Sequence, residues 1–257
     1  MKNLKNHLNT KTLFLGLLTL LFFSCSDDDN NSPPQSVTDE EINEVLRSSL
    51  VDEGGIIPDI DFMSSTLSNA SSRPSNSITK NLNDNLSLAN CNQTIMQSFS
   101  NSNTIGDRSW TISSNWSWTL NCDAQNNSIS FDLDGNGTLD FDGPNLSKDI
   151  NRTHDFNITG IEPASTEWIY NANHTRNGLI QSNIGNQNSM TTNLVYGSTD
   201  IVVSKSTEQI VSGTFEVDFT ATLPNGNTVI RGATVVFNGN QTATVILENG
   251  NTFEVSW

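Results

Sequence analysis

The amino-acid sequence predicts an all-β domain: an antiparallel up-and-down meander, forming a twisted sheet or a closed or half-closed barrel, with one short N-terminal helix. Three observations carry this expectation. Apolar and polar residues alternate at period two over long stretches between Trp110 and the C-terminus. Short segments bearing Gly, Asn or Pro separate those stretches. Helical spacing of apolar residues is confined to one stretch ahead of them.

That stretch opens at Thr38, which is placed to cap a helix, and Glu41 three residues later completes a capping box. Ile42, Val45, Leu46 and Leu50 then recur at helical spacing and form a narrow apolar face. Gly54 and Gly55 end it. Residues 56–88 are rich in Ser and Asn with scattered apolar positions, and irregular structure is expected there. Residues 37–90 therefore read as a helix followed by an irregular arm.

The β domain is assigned to residues 91–257. Trp110, Ile112, Trp116, Trp118, Leu120 and Cys122 all have even numbers, and polar residues lie between them, with Ser114 alone breaking the apolar set. A helix would scatter the three tryptophans around its circumference, whereas a strand puts them on one face. Ile129, Phe131 and Leu133 continue the alternation. Gly135-Asn136-Gly137 reads as a turn, after which Leu139 and Phe141 resume. Residues 151–205 suggest three or four strands around Phe156, Ile158, Trp168, Tyr170 and Tyr196. Phe215, Val217, Phe219, Ala221 and Leu223 precede a turn at Pro224-Asn225-Gly226. Residues 229–237 form the next strand, Asn238-Gly239 a turn, and Ala243, Val245 and Leu247 a further strand. Asn249-Gly250 suits a tight two-residue turn, where both central residues need positive φ. Phe253, Val255 and Trp257 close the chain. Strands joined by such short turns are antiparallel.

The N-terminus is of another kind. Lys2, Lys5 and Lys11 precede an apolar run over residues 13–23, which is shorter than the roughly 17–25 residues a spanning helix needs. Residues 1–24 therefore read as a signal peptide, with the small Ser24 at the cut position and Cys25 next. Phe22-Phe23-Ser24-Cys25 resembles a bacterial lipobox, although the position three before the cysteine holds Phe22 where Leu is usual. The resemblance implies that Cys25 is acylated, by palmitate-type chains, and becomes the mature N-terminus. The following Ser26, Asp27, Asp28 and Asp29 resemble the acidic export signal of Bacteroidota surface lipoproteins. That likeness implies display at the outer membrane, on the cell surface, and it covers only about the first thirty residues. Each buried methylene contributes about 0.8 kcal/mol, so two or three chains hold a protein on a membrane without a spanning segment. Residues 25–36, polar and carrying Pro33-Pro34, form the tether.

Charge and cysteine content narrow the partners. The chain has 28 acids and 12 bases; losing residues 1–24 removes three lysines and no acid, moving the net charge from −16 to −19. Such a surface repels phosphate backbones, so nucleic acid is not an expected partner. With Cys25 lipidated, Cys91 and Cys122 remain as an even pair in an oxidising compartment, where a disulfide is expected.

Motifs for chemistry are sparse. Asp132, Asp134 and Asn136 match positions 1, 3 and 5 of a calcium loop, and Gly137 its turn glycine. The twelfth position is Gly143 rather than an acid, however, so the plainer reading is a strand hairpin with aspartates on its wet face. After processing, His154 and His174 are the histidines, and neither sits in a recognisable catalytic motif. No catalytic residue, resident metal or cofactor is assigned. Trp168 beside Tyr170 is the best candidate for an exposed aromatic platform, the competing reading being core packing. The function expected is a non-enzymatic surface lipoprotein whose β domain binds a glycan, a peptide or another envelope protein. A structural or assembly role without a small ligand is the alternative, and a glycan hydrolase, whose two carboxylates need no local motif, is the third reading.

Overall fold

In the computed structural model, which describes residues 36–71 and 91–257, two helices precede one ten-stranded sheet. The helices are α1 (Asp39–Val51) and α2 (Ile56–Ser71). The strands are β1 (Thr94–Ile105), β2 (Arg108–Cys122), β3 (Ser128–Asp142), β4 (Leu146–Thr159) and β5 (Glu167–Ser182), then β6 (Ser189–Ser204), β7 (Ile210–Thr222), β8 (Thr228–Gly239), β9 (Thr242–Leu247) and β10 (Thr252–Ser256). Their order in space is their order in the chain, all pairs are antiparallel, and the sheet does not close: β1 and β10 are its two edges. Cys25 and the Ser26–Asp29 run lie outside the described residues, as do residues 72–90.

The alternation places the core. On β2, Trp110, Ile112, Ser114, Trp116 and Trp118 are buried, and the register carries the same side across the sheet through Leu133, Phe156, Tyr170, Tyr196, Phe215 and Val235. One face of the sheet is thus apolar and covered, the other polar and open, the pattern of an antiparallel sheet with a single packed side. The helices do the covering. Thr38 and Glu41 make both halves of the capping box, and Ile42, Val45, Leu46 and Leu50 are buried as expected. At its far end Gly54, at φ +70°, sits against Leu139 and Arg152.

The second helix corrects the expectation of irregular structure after Gly55. Ile56, Ile57, Ile60 and Met63 are buried, giving residues 56–63 an apolar face of their own. The Ser and Asn content masked it: such residues weaken helix propensity, but burial against the sheet outweighs a few tenths of a kcal/mol each.

Two expected turns also differ. Gly135-Asn136-Gly137 does not turn the chain; β3 runs straight through it, paired with β2 and β4 on either side. These glycines serve close approach instead. A Cβ on Gly135 would lie 2.7 Å from the Trp116 ring, and one on Gly137 would lie 2.1 Å from the Ser113 carbonyl oxygen. Between β8 and β9 the turn is Asn240-Gln241 (φ 53° and 58°) rather than Asn238-Gly239, both central residues being left-handed as a two-residue hairpin turn requires. Residues 151–205 hold three strands or parts of them, and Gly226 and Gly250 occupy turns as read from the sequence.

Cys91 and Cys122 are disulfide-bonded, as expected. The bridge clamps the open end of the β1–β2 hairpin, whose Thr94↔Thr119 pair lies at that end.

Candidate functional site

The same segment of the sheet carries unusual features on both faces. On the open face, two rows of side chains run across the strands, one from β1 to β5 and the other from β1 to β6. One row is Met96, Ser117, Asp134, Asp155 and Asn173, and the other is Ser98, Asn115, Asn136, Thr153, Thr175 and Val195, each residue in register with the next. Between them a groove of about 660 Å³ opens, floored by the backbone of Gln97, Trp116, Gly135, His154 and His174, whose side chains belong to the covered side. The pleat creates the trough, since residues aimed at the core leave their backbone low between neighbours that stand up into solvent.

Met96 and Val195 stand exposed at its two ends, and between them the groove is built from hydroxyls, amides and carboxylates. Ser98 Oγ donates to Asn115 Oδ1 at 2.6 Å, and Thr153 and Thr175 share a hydroxyl hydrogen bond. Asp134 and Asp155 face each other directly across β3 and β4, as do Asp140 and Asp149 further along. Opposed like charges destabilise a strand pair. The Asp155 carboxyl is pushed above its usual range by partial burial, then by Asp134 and Asp132.

The calcium-loop likeness fails in this geometry. Asp132, Asp134 and Asn136 alternate along an extended strand, so successive ones stand about 6.8 Å apart and cannot wrap one ion at 2.3–2.6 Å. Both carboxylate oxygens of Asp132 already accept from amides, Asn121 Nδ2 and Asn157 Nδ2, each at 2.6 Å. The aromatic platform is also corrected. Trp168 is 4 % exposed and Tyr170 fully buried, the Tyr170 hydroxyl meeting Ser64 Oγ of α2 at 2.8 Å. Their even parity puts them on the packed side with Ala172 and His174.

Directly behind the groove lies a buried polar array. The tripeptide Arg152-Thr153-His154 on β4 is mirrored by His174-Thr175-Arg176 on β5, and antiparallel register sets Arg152 opposite Arg176 and His154 opposite His174. All four side chains are at most 2 % exposed. Two guanidiniums side by side in a core need a counter-charge, which α2 supplies as Asp59. Its Oδ1 lies 3.4 Å from Arg152 Nη1, and its Oδ2 lies 3.5 Å from Arg176 Nη2 and 3.3 Å from His154 Nδ1. Arg152 also donates to Ser114 Oγ and to the Gly54 carbonyl, and Arg176 to the Ser49 carbonyl at 2.6 Å.

The imidazoles meet at Nδ1···Nδ1, 2.8 Å, so one donates and the other accepts. Burial, followed by neighbouring charges, holds the protonation of both well below the ordinary histidine range. Trp116 stacks on His154, and Phe156 meets His174 edge-on.

Asp59, His154 and His174 have the spacing of a metal-ligand trio, with candidate atoms within 4.8 Å of one another. Their surroundings oppose a cation: the carboxylate already answers two guanidiniums, leaving the array net positive before any ion enters. The arrangement reads instead as the joint between helical layer and sheet. A second joint lies nearby, where Lys148 and Arg108 approach Asp52 at 3.9 and 3.4 Å. Burial pushes the Lys148 ammonium down to about 7, against the pull of Asp52.

The sequence reading found no catalytic motif around His154 or His174 and missed the array. The mirrored tripeptides were its signal, legible only once β4 and β5 are known to be neighbours. The chain shows no match to any protein-family model, curated protein or solved structure compared with it.

Proposed function

We propose that the protein is a lipid-anchored lipoprotein of the cell surface whose β domain captures an extracellular glycan in the groove on the open face of its sheet. The observation that carries this reading is the groove's lining: between Met96 on β1 and Val195 on β6, two rows of Ser, Thr, Asn and Asp stand in register across the strands. Hydroxyls and primary amides both donate and accept, which matches the hydroxyls of a sugar chain. The anchor on Cys25 and the export signal of Ser26, Asp27, Asp28 and Asp29 would hold this face outside the cell, where such chains are met.

A second reading has one observation in its favour. Asp134 and Asp155 form an opposed carboxylate pair inside the groove, the kind of pair a glycan hydrolase uses. Both are solvent-exposed, so neither is shielded from water as a catalytic acid is. Binding is therefore the favoured activity.

The test is a glycan array probed with the mature protein in detergent. Specific retention that falls at least tenfold in an Asn136→Ala/Asn173→Ala variant of unchanged melting temperature supports the reading. No retention by any glycan contradicts it. Hydrolysis of a retained glycan that stops in Asp155→Asn would replace it with the hydrolase.

A further inference from the structure

The covered and open faces of the sheet differ sharply in charge, and the difference limits what the groove can hold. On the open face β3 and β4 display Asp132, Asp134, Asp140, Asp149 and Asp155, and β7 adds Glu216 and Asp218. Among the described residues no Lys or Arg of a strand points the same way. Lys148, Arg152 and Arg176 are buried on the covered side. Arg108 reaches toward Asp52 beyond α1, and Arg231 is in register with the buried Phe219. Arg47 is helical and Lys205 lies between β6 and β7. An anionic group brought to the open face therefore meets carboxylates with no cation from the described strands to answer them.

The groove's shape limits the ligand further. Its walls run at right angles to the strands, one over five of them and the other over six, and five inter-strand gaps of about 4.8 Å make a trough of about 24 Å. A compact ligand would use a fraction of it, whereas an extended chain would engage each strand in turn. From β1 to β5 each strand sets a Ser, Thr or Asn in the walls, so the recurring partner is a neutral group that donates and accepts.

Resting on the glycan reading above, we infer that the occupant is the interior of an extended, uncharged polysaccharide lying across the strands, and that anionic polysaccharides are rejected. Asp134 and Asp155 at the middle of the groove act as the exclusion element: they accept hydrogen bonds from sugar hydroxyls and repel carboxylate or sulfate substituents. Excluding the wrong ligand by an unanswered charge is an efficient source of selectivity.

The experiment compares the mature protein in detergent, by affinity electrophoresis and calorimetry, on soluble neutral glucans, mannans and xylans. Each is compared with its carboxymethylated derivative and with its disaccharide. At least one neutral polymer should bind, its carboxymethylated form at least tenfold more weakly, and its disaccharide at least a hundredfold more weakly. The Asp134→Asn/Asp155→Asn variant should narrow the gap between neutral and anionic polymer, and raised salt should narrow it too, because screening weakens exposed repulsion. Equal or tighter binding of the anionic polymer, a disaccharide as tight as its polymer, or preference for polylysine would overturn this inference while leaving a ligand in the groove. Silence across every glycan class would instead sink the glycan reading on which it rests.

Discussion

At Asp59 a single carboxylate of α2 answers Arg152, Arg176 and the His154 imidazole. Asp59→Asn should therefore leave two buried guanidiniums without a counter-charge and cost about 3–5 kcal/mol, measured by urea unfolding. The two histidines add a pH dependence. In the unfolded chain each takes a proton near pH 6.5. In the folded protein burial and the arginines delay that to well below the ordinary range. Over that interval the unfolded state holds more protons, so stability is complete above about pH 6.5 and falls as pH drops beneath it. Asp61 works in the opposite sense: burial raises its carboxyl to about 6, so between about 3.8 and 6 the folded state holds the extra proton and gains stability with acid. Unfolding midpoints of Asp61→Asn measured from pH 7.5 to 5 should show the steeper acid loss, and adding His154→Gln and His174→Gln should flatten it.

At the scale of elements, β1 is the weakest part of the sheet. It is an edge strand whose Ile95, Gln97 and Phe99 are only half-buried, and residues beyond them are exposed. The Cys91–Cys122 bridge offsets that weakness by closing a loop of about thirty residues at the end of the hairpin away from its turn. Cys91→Ala/Cys122→Ala should cost about 3–4 kcal/mol in the chain-entropy account, with amide exchange rising first in β1. Most strands were legible from sequence because one buried face imposes period two, and Trp110 to Cys122 shows it plainly. Two elements were not. Helix α2 is apolar at Ile56, Ile57, Ile60 and Met63 but dressed in Ser and Asn, so tertiary burial rather than propensity makes it helical. The glycines at 135 and 137 mimic a turn locally, and only the neighbouring Trp116 and Ser113 explain them. The groove was illegible for a similar reason. Its residues were visible as polar alternates, yet register alone brings Asn115, Asn136 and Thr153 side by side. Parity, applied to Trp168 and Tyr170, favoured the core they occupy.

Across the whole molecule, charge is sorted by face: the sheet's buried cations meet helical acids on one side, and unanswered carboxylates face water on the other. Calcium should do little at the loop-like run of β3, because Asp132 is held by two amides and Asp134 and Asn136 stand apart along the strand. A calcium titration should leave the melting temperature within a degree; a rise of several degrees would reveal a site through linkage. The proposed anchoring is tested at the other end of the chain. Cys25→Ser should leave the protein free of lipid and recovered in the soluble fraction, as read by intact mass and membrane partition. The claim on which the functional account turns is that ligand lies along the open face, and side-chain amide resonances report it most directly. Binding of a retained glycan should shift the Asn115, Asn136 and Asn173 amide signals together while those of Asn188, buried beside Glu41 on the covered side, stay fixed. Shifts confined to Asn188 and the helices, with the groove amides unmoved, would contradict it.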